Sequence, residues 1–157
     1  MSRGGNDRNG GSGSEGPALR RFAAAPRIGV LTPSGATIEA VVAARPIARL
    51  LGLAAVDRDR APALLIPRCR SVHTAWMRFA LDVVFLELPD GASGDAPVRS
   101  VHPAVPRRRL VAPRGLRSQG PASRPAALEL AAGSAGRLGV EPGRTLRLRR
   151  EIGAEPA

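Results

Sequence analysis

One cysteine, one tryptophan, three phenylalanines and no tyrosine serve a chain of 157 residues, and lysine is absent altogether. A lone cysteine cannot close an internal disulfide, so the fold needs no oxidising compartment. No apolar run nears the roughly 18 residues of a membrane span; the longest is "LLGLAAV", residues 50–56. The opening "MSRGGNDRNG" has none of the apolar core that a secretory signal requires. These absences point to a cytoplasmic protein held by an ordinary hydrophobic core. About 130 ordered residues would bury roughly two-thirds of their unfolded surface, enough for such a core.

Arginine is what the chain has instead. All 24 basic residues are Arg, against 13 acids, for a formal net charge of +11. Residues 97–150 hold 12 Arg and only 2 acids, so nearly all of the excess lies there. A half this basic attracts phosphates or an acidic partner. Single-strand nucleic-acid surfaces interleave arginines with aromatic rings for stacking, yet residues 97–150 contain no Phe, Trp or Tyr. Specific nucleic-acid binding is therefore not expected, and weak, salt-sensitive contact with polyanions is.

The glycine- and serine-rich start cannot bury enough apolar surface to offset its ordering entropy. Residues 1–24 accordingly read as a flexible tail, 25–150 as a single β-rich domain, and 151–157 as a short second tail. "RIGVL" (27–31) and "IEAVVA" (38–43) read as a hairpin around the turn chemistry of "TPSGAT". In "ARPIARLLGLAAVD" (44–57), Ile47, Leu50, Leu51 and Ala54 fall at helical spacing, with Pro46 suited to the first turn. Strands are expected at "ALLIP", "SVHTAWM", "LDVVFLEL", "PVRSVH", "RRRLVAP", "AALEL" and "RTLRLR", with a helical turn in "AAGSAGRLG". Many short strands with one or two short helices predict a mainly β domain, sandwich- or barrel-like.

The chemistry-bearing residues crowd into "CRSVHTAWMRFALDVVFLE", 69–87. A Cys69–His73 nucleophilic pair would need contact at about 2.6–3.2 Å. Residues four apart on a strand lie about 13 Å apart, so the pair would need a sharp bend near residues 67–70. A zinc site could recruit His102 beside His73 if their strands paired, with Asp82 completing the set, but nothing in the spacing demands it. Read as a strand, "SVHTAWM" sends Ser71, His73, Ala75 and Met77 one way and Val72, Thr74 and Trp76 the other. One face is then a mixed-polarity row suited to a ligand, while Trp76 is expected in the core. Asp82 is expected to accept backbone N–H groups around a turn, or alternatively to orient His73. In "TLRLRR" the alternation turns Leu146 and Leu148 inward and Arg147 and Arg149 outward. "GSAGRLG" lacks the spacing of a phosphate-binding loop.

Four pieces together resemble the family known as domain of unknown function 192: "RLLGL" (49–53), "CRSVHTAWMRFALDVVFLE" (69–87), "VHPAV" (101–105) and "ALELAAGSAGRLGVEPG" (127–143). Their order runs across residues 38–149. The resemblance implies a small, mainly β fold of the sandwich type, with Leu128 and Leu130 in the core and Gly143 serving the last turn. It supplies no established activity and no catalytic set. Much of the family has Trp-Met where His73–Thr74 stand and a proline at Ala80, so this chain resembles the His-Thr branch. Many relatives also carry a secretion signal or membrane anchor.

The reading favours a non-enzymatic module, without cofactor or metal, that binds a small ligand or a protein partner near Cys69, His73, Thr74, Trp76, Met77, Asp82 and His102. Two alternatives stand beside it. One is a hydrolase or thiol enzyme using Cys69 and His73. The other is an accessory protein that docks an acidic partner through Arg107, Arg108, Arg109, Arg147 and Arg149.

Overall fold

A computed structural model of the chain describes residues 16–91, 93–114 and 124–150. The expected tails at 1–15 and 151–157 lie outside the described residues, as does most of the irregular connection expected after Arg114. Ordered packing begins within the segment read as the first tail: Leu19–Phe22 form one 3-10 turn, and Phe22 is buried.

Among the described residues nine strands form, named here β1 (Arg27–Leu31), β2 (Thr37–Val42), β3 (Ala63–Pro67), β4 (Val72–His73), β5 (Leu81–Glu87), β6 (Gly94–Val105), β7 (Leu110–Val111), β8 (Pro125–Ala131) and β9 (Thr145–Arg150). Seven of them close into a barrel in the order β1-β2-β3-β8-β5-β6-β9, and the remaining pair, β4 and β7, makes a separate ribbon. Closure comes from β9 pairing antiparallel with β1, Gly29 opposite Arg149 and Val30 opposite Leu148. The β2–β3 pair is parallel, so it needs a crossover connection. That crossover carries the helix α1, Pro46–Leu51. A second short helix, α2, spans Ser134–Arg137.

The alternation of side chains along each strand builds two cores. The first takes residues from all seven barrel strands, among them Val30, Ala40, Leu65, Leu128, Val84, Val98 and Leu146, and so fills the barrel interior. The second draws on the opposite faces of only part of the wall, with Leu64, Ile66, Val83, Phe85 and Ala127, together with Phe22, Leu53, Val72 and Met77 from outside it. It lies between the barrel and the layer formed by α1, the 3-10 turn and the β4–β7 ribbon. Hence β5 and β8 are buried on both faces and read as continuous apolar runs. The last strand, β9, faces solvent outside and alternates, with Leu146 and Leu148 buried and Arg147 and Arg149 exposed. Gly143 takes φ +82° in the turn before it, its N–H bonded to the Val98 carbonyl.

Two expectations need correction. The helix is shorter than the sequence spacing suggests, ending at Gly52, and its buried residue is Ala48. Ile47 and Leu50 are more than half exposed, because the chain turns at Gly52 and buries Leu53 and Ala54 beyond the helix. "SVHTAWM" is not one strand: β4 stops at His73 and a turn follows. The face assignments therefore fail, and Met77 enters the core while Trp76 is 72% exposed.

Candidate functional site

The signature segment divides its residues among separate tasks. Thr74 is fully buried and closes the connection between β6 and β7. Its hydroxyl donates to the Pro106 carbonyl at 2.7 Å and accepts from the Arg109 N–H at 2.9 Å. Its own N–H bonds to the Arg109 carbonyl, and its carbonyl accepts from Arg108 N–H. Asp82 lies on the interior-facing side of β5, where Oδ1 accepts from Ala104 N–H and Oδ2 from Ala135 N–H, both at 2.9 Å. That carboxylate ties the end of β6 to the start of α2, so Asp82 is bonded to backbone and not to His73.

Cys69 and His73 do not meet through any described contact. The Cys69 thiol donates to the Ser71 carbonyl at 3.1 Å, and burial pushes its pKa up. That direction is opposite to the one a nucleophilic thiol needs. His73 pairs across the ribbon with Leu110, and its Nδ1 is buried without a partner among the described residues. His102 belongs to a different sheet, so the pairing that a joint metal site would require does not occur. Its ring packs edge-on against Phe85, centroids 5.6 Å apart. Desolvation lowers its pKa, and the charge of Arg114 acts in the same direction.

The large apolar side chain that the segment presents to solvent is Trp76. It sits at φ +58°, in the left-handed region that bulky residues avoid. The neighbouring structure holds it there: the Trp76 carbonyl accepts from Ala55 N–H at 3.0 Å, and Thr74, two residues earlier, is bonded on every side. Ala55, Ala104 and Arg108 also have positive φ, and each is bonded to this segment, to Trp76, Asp82 and Thr74 respectively. Four strained non-glycine residues thus gather around one loop system. Beside them, Arg107, Arg108 and Arg109 are exposed, and none forms a side-chain ion pair among the described residues. Leu110, which follows them, is 73% exposed. Arg147 and Arg149 stand on the outer face of β9, where Arg147 pairs with Asp95 at 3.0 Å.

Two features escaped the sequence reading. Glu129, on the outward side of β8, is 2% exposed beneath the end of α1. It accepts the Leu53 N–H at 3.1 Å. Desolvation raises its pKa to about 7, partly offset by that bond and by the Arg21 charge. Gly52 covers it so closely that a Cβ would stand 2.8 Å from both carboxyl oxygens. The available signal was a lone carboxylate within the otherwise apolar "AALELA". The second feature is a cavity at one barrel end, rimmed by arginines that are far apart in sequence.

This architecture defines a closed seven-stranded β-barrel domain that carries an external ribbon and a loop system exposing one aromatic residue. The chain belongs to the family domain of unknown function 192, described as an uncharacterised conserved region, which it matches over residues 29–148. It is similar to a protein of Sinorhizobium meliloti 1021 provisionally described as a transcription regulator. That likeness has 26% identity and a TM-score of 0.54, over 80% of this chain and 93% of the other. It is also similar in fold to a protein of unknown function from Novosphingobium aromaticivorans DSM 12444, with 19% identity and a TM-score of 0.56, over 80% and 94% of the two chains. No curated protein matches the chain. Among the described residues, no helix is long and apolar enough to cross a membrane.

Proposed function

We propose that this domain is a non-enzymatic docking module that captures an acidic protein segment on the surface formed by Trp76, Leu110 and Arg107–Arg109. The observation that carries the reading is Trp76 itself, largely exposed and fixed in a backbone conformation costing about 1–2 kcal/mol. Strain of this kind concentrates where a side chain must be presented in one orientation. Tryptophan and arginine are the residue types that most often dominate protein interfaces. Three exposed arginines select an acidic partner and speed its approach.

Exposed Leu110 favours a protein over a nucleic acid, whose interfaces are more polar. The Sinorhizobium meliloti relative's description concerns that protein, and duplex DNA therefore serves here as the competing probe. Because Trp76 is the chain's one tryptophan, its fluorescence reports directly on this surface. Titration with a glutamate-rich, leucine-containing peptide should shift the emission to the blue at low salt. The affinity should fall as salt rises and collapse when Arg107, Arg108 and Arg109 are all changed to Glu. Unchanged emission with such peptides, or tighter binding to duplex DNA, would refute the proposal.

A further inference from the structure

Among the described residues, the barrel has one sealed end and one open end. At the first, α2 lies across the opening, with Ala135 and Val140 buried in the interior core and Asp82 bonded to the helix backbone. The chain positions at the second are the start of β1, the end of β2, the ends of β3 and β5, the start of β8 and the end of β9. There a cavity of about 450 Å³ is floored by Ile28, Val42, Leu65, Leu88 and Leu148. Of these, Ile28, Leu65 and Leu148 belong to the interior core, so the cavity continues the barrel lumen. Its volume lies within the range of small-molecule sites, about 300–1,000 Å³.

The charged residues that line the cavity are all arginines. Arg27, Arg124 and Arg150 border the cavity. An adjoining cavity of about 560 Å³ shares Pro67, Leu88 and Arg124 with it and adds Arg68 and Arg70. Arg27 is paired with Glu39, and Arg124 with Asp90 at 3.5 Å, an acid whose side chain is 94% exposed. Arg68, Arg70 and Arg150 form no side-chain ion pair among the described residues. An apolar floor beneath a rim of guanidinium groups, Arg150 unpaired among them, matches a molecule with an apolar chain and an acidic head, since guanidinium binds carboxylate or phosphate in a two-pronged geometry.

We propose that this mouth binds an anionic amphiphile, with its alkyl chain entering the barrel end and its head held by Arg124 and Arg150. The site lies outside the Trp76 surface and shares none of its residues. The test is calorimetric titration of the full chain with butanoate, hexanoate, octanoate and decanoate, each below its micelle concentration and at fixed ionic strength. Each added methylene should tighten binding about three- to fourfold, the equivalent of about 0.8 kcal/mol, until the cavity is full and the gain stops. Octyl phosphate beside octanoate distinguishes the two head groups, and binding of either supports the site. Combined R124E and R150E, both surface changes, should weaken octanoate at least tenfold. Octyltrimethylammonium should not bind. Affinity independent of chain length, unaffected by the double reversal, or matched by the cationic amphiphile would overturn the proposal.

Discussion

Replacing Glu129 by Gln isolates the energetic effect of a carboxyl buried outside the barrel wall. Burial raises its pKa from an ordinary 4.5 to about 7. Between these values the folded state holds a proton that the unfolded state has released, so stability falls as pH rises through the window and levels off above it. At about 1.4 kcal/mol per decade, the loss amounts to about 3 kcal/mol between pH 4.5 and pH 8. Arg21 is the cation coupled to this carboxyl, and its guanidinium is already engaged by the carbonyls of Gly52 and Ala54. Gln keeps an oxygen for the Leu53 N–H but cannot ionise.

The variant should therefore match the parent within about 1 kcal/mol at pH 5 and exceed it by about 3 kcal/mol at pH 8. Urea unfolding followed by far-ultraviolet circular dichroism, from pH 5 to pH 8.5 at one ionic strength, measures this difference. His102 works in the opposite sense, because its lowered pKa costs stability as pH falls below about 6.5. It is common to both proteins and cancels in the comparison. A difference that stays constant across the range would refute the claim that Glu129 is buried as described.

Other substitutions probe the same frame. Gly52→Ala would bring a methyl group to 2.8 Å from both Glu129 oxygens at φ +50°; a loss of about 2 kcal/mol or more is expected, read as a fall of several degrees in Tm. Asp82→Asn keeps one acceptor for the two N–H groups of Ala104 and Ala135, and should cost about 2 kcal/mol in chemical unfolding. Alkylation of Cys69 should be slow at pH 7 and accelerate only above the ordinary thiol range, since burial raises its pKa; rapid reaction at neutral pH would return the thiol to consideration as a nucleophile. Trp76→Gly should leave Tm within a few degrees of the parent, because relief of the left-handed strain offsets glycine's added chain entropy.

The strands were legible where burial on both faces produced an unbroken apolar run, as in "ALLIP" and "LDVVFLEL", or where one wet face imposed alternation, as in "TLRLRR". The pairing of Gly29 with Arg149 was not legible, because period-2 patterning states which face is buried and never which strand lies alongside. "SVHTAWM" misled for a related reason. Its alternating types imitate a strand, whereas the backbone turns after His73 under bonds from residues 106–109 and 55, all distant in sequence. The same limit hid the barrel mouth. Arg27 and Arg124 look like isolated charges and Arg150 like the end of an arginine run, and only ring closure places them around one opening. The arginines of residues 107–109, contiguous in sequence, were visible from the start.

Closure of the ring by β1 and β9 joins partners that lie 120 residues apart, from Gly29 to Arg149. A contact of that span pays a large loop-closure entropy before it returns any packing energy, which places the domain among slowly folding topologies. Yet the same neighbourhood sets the two ends of the ring side by side, since Ile28 stands opposite Arg150. A short linker joining them, with new ends cut in the loop between β5 and β6, would give a circular permutant. In it β6 would begin the chain and β5 would end it, and the seam between β9 and β1 would become an ordinary hairpin.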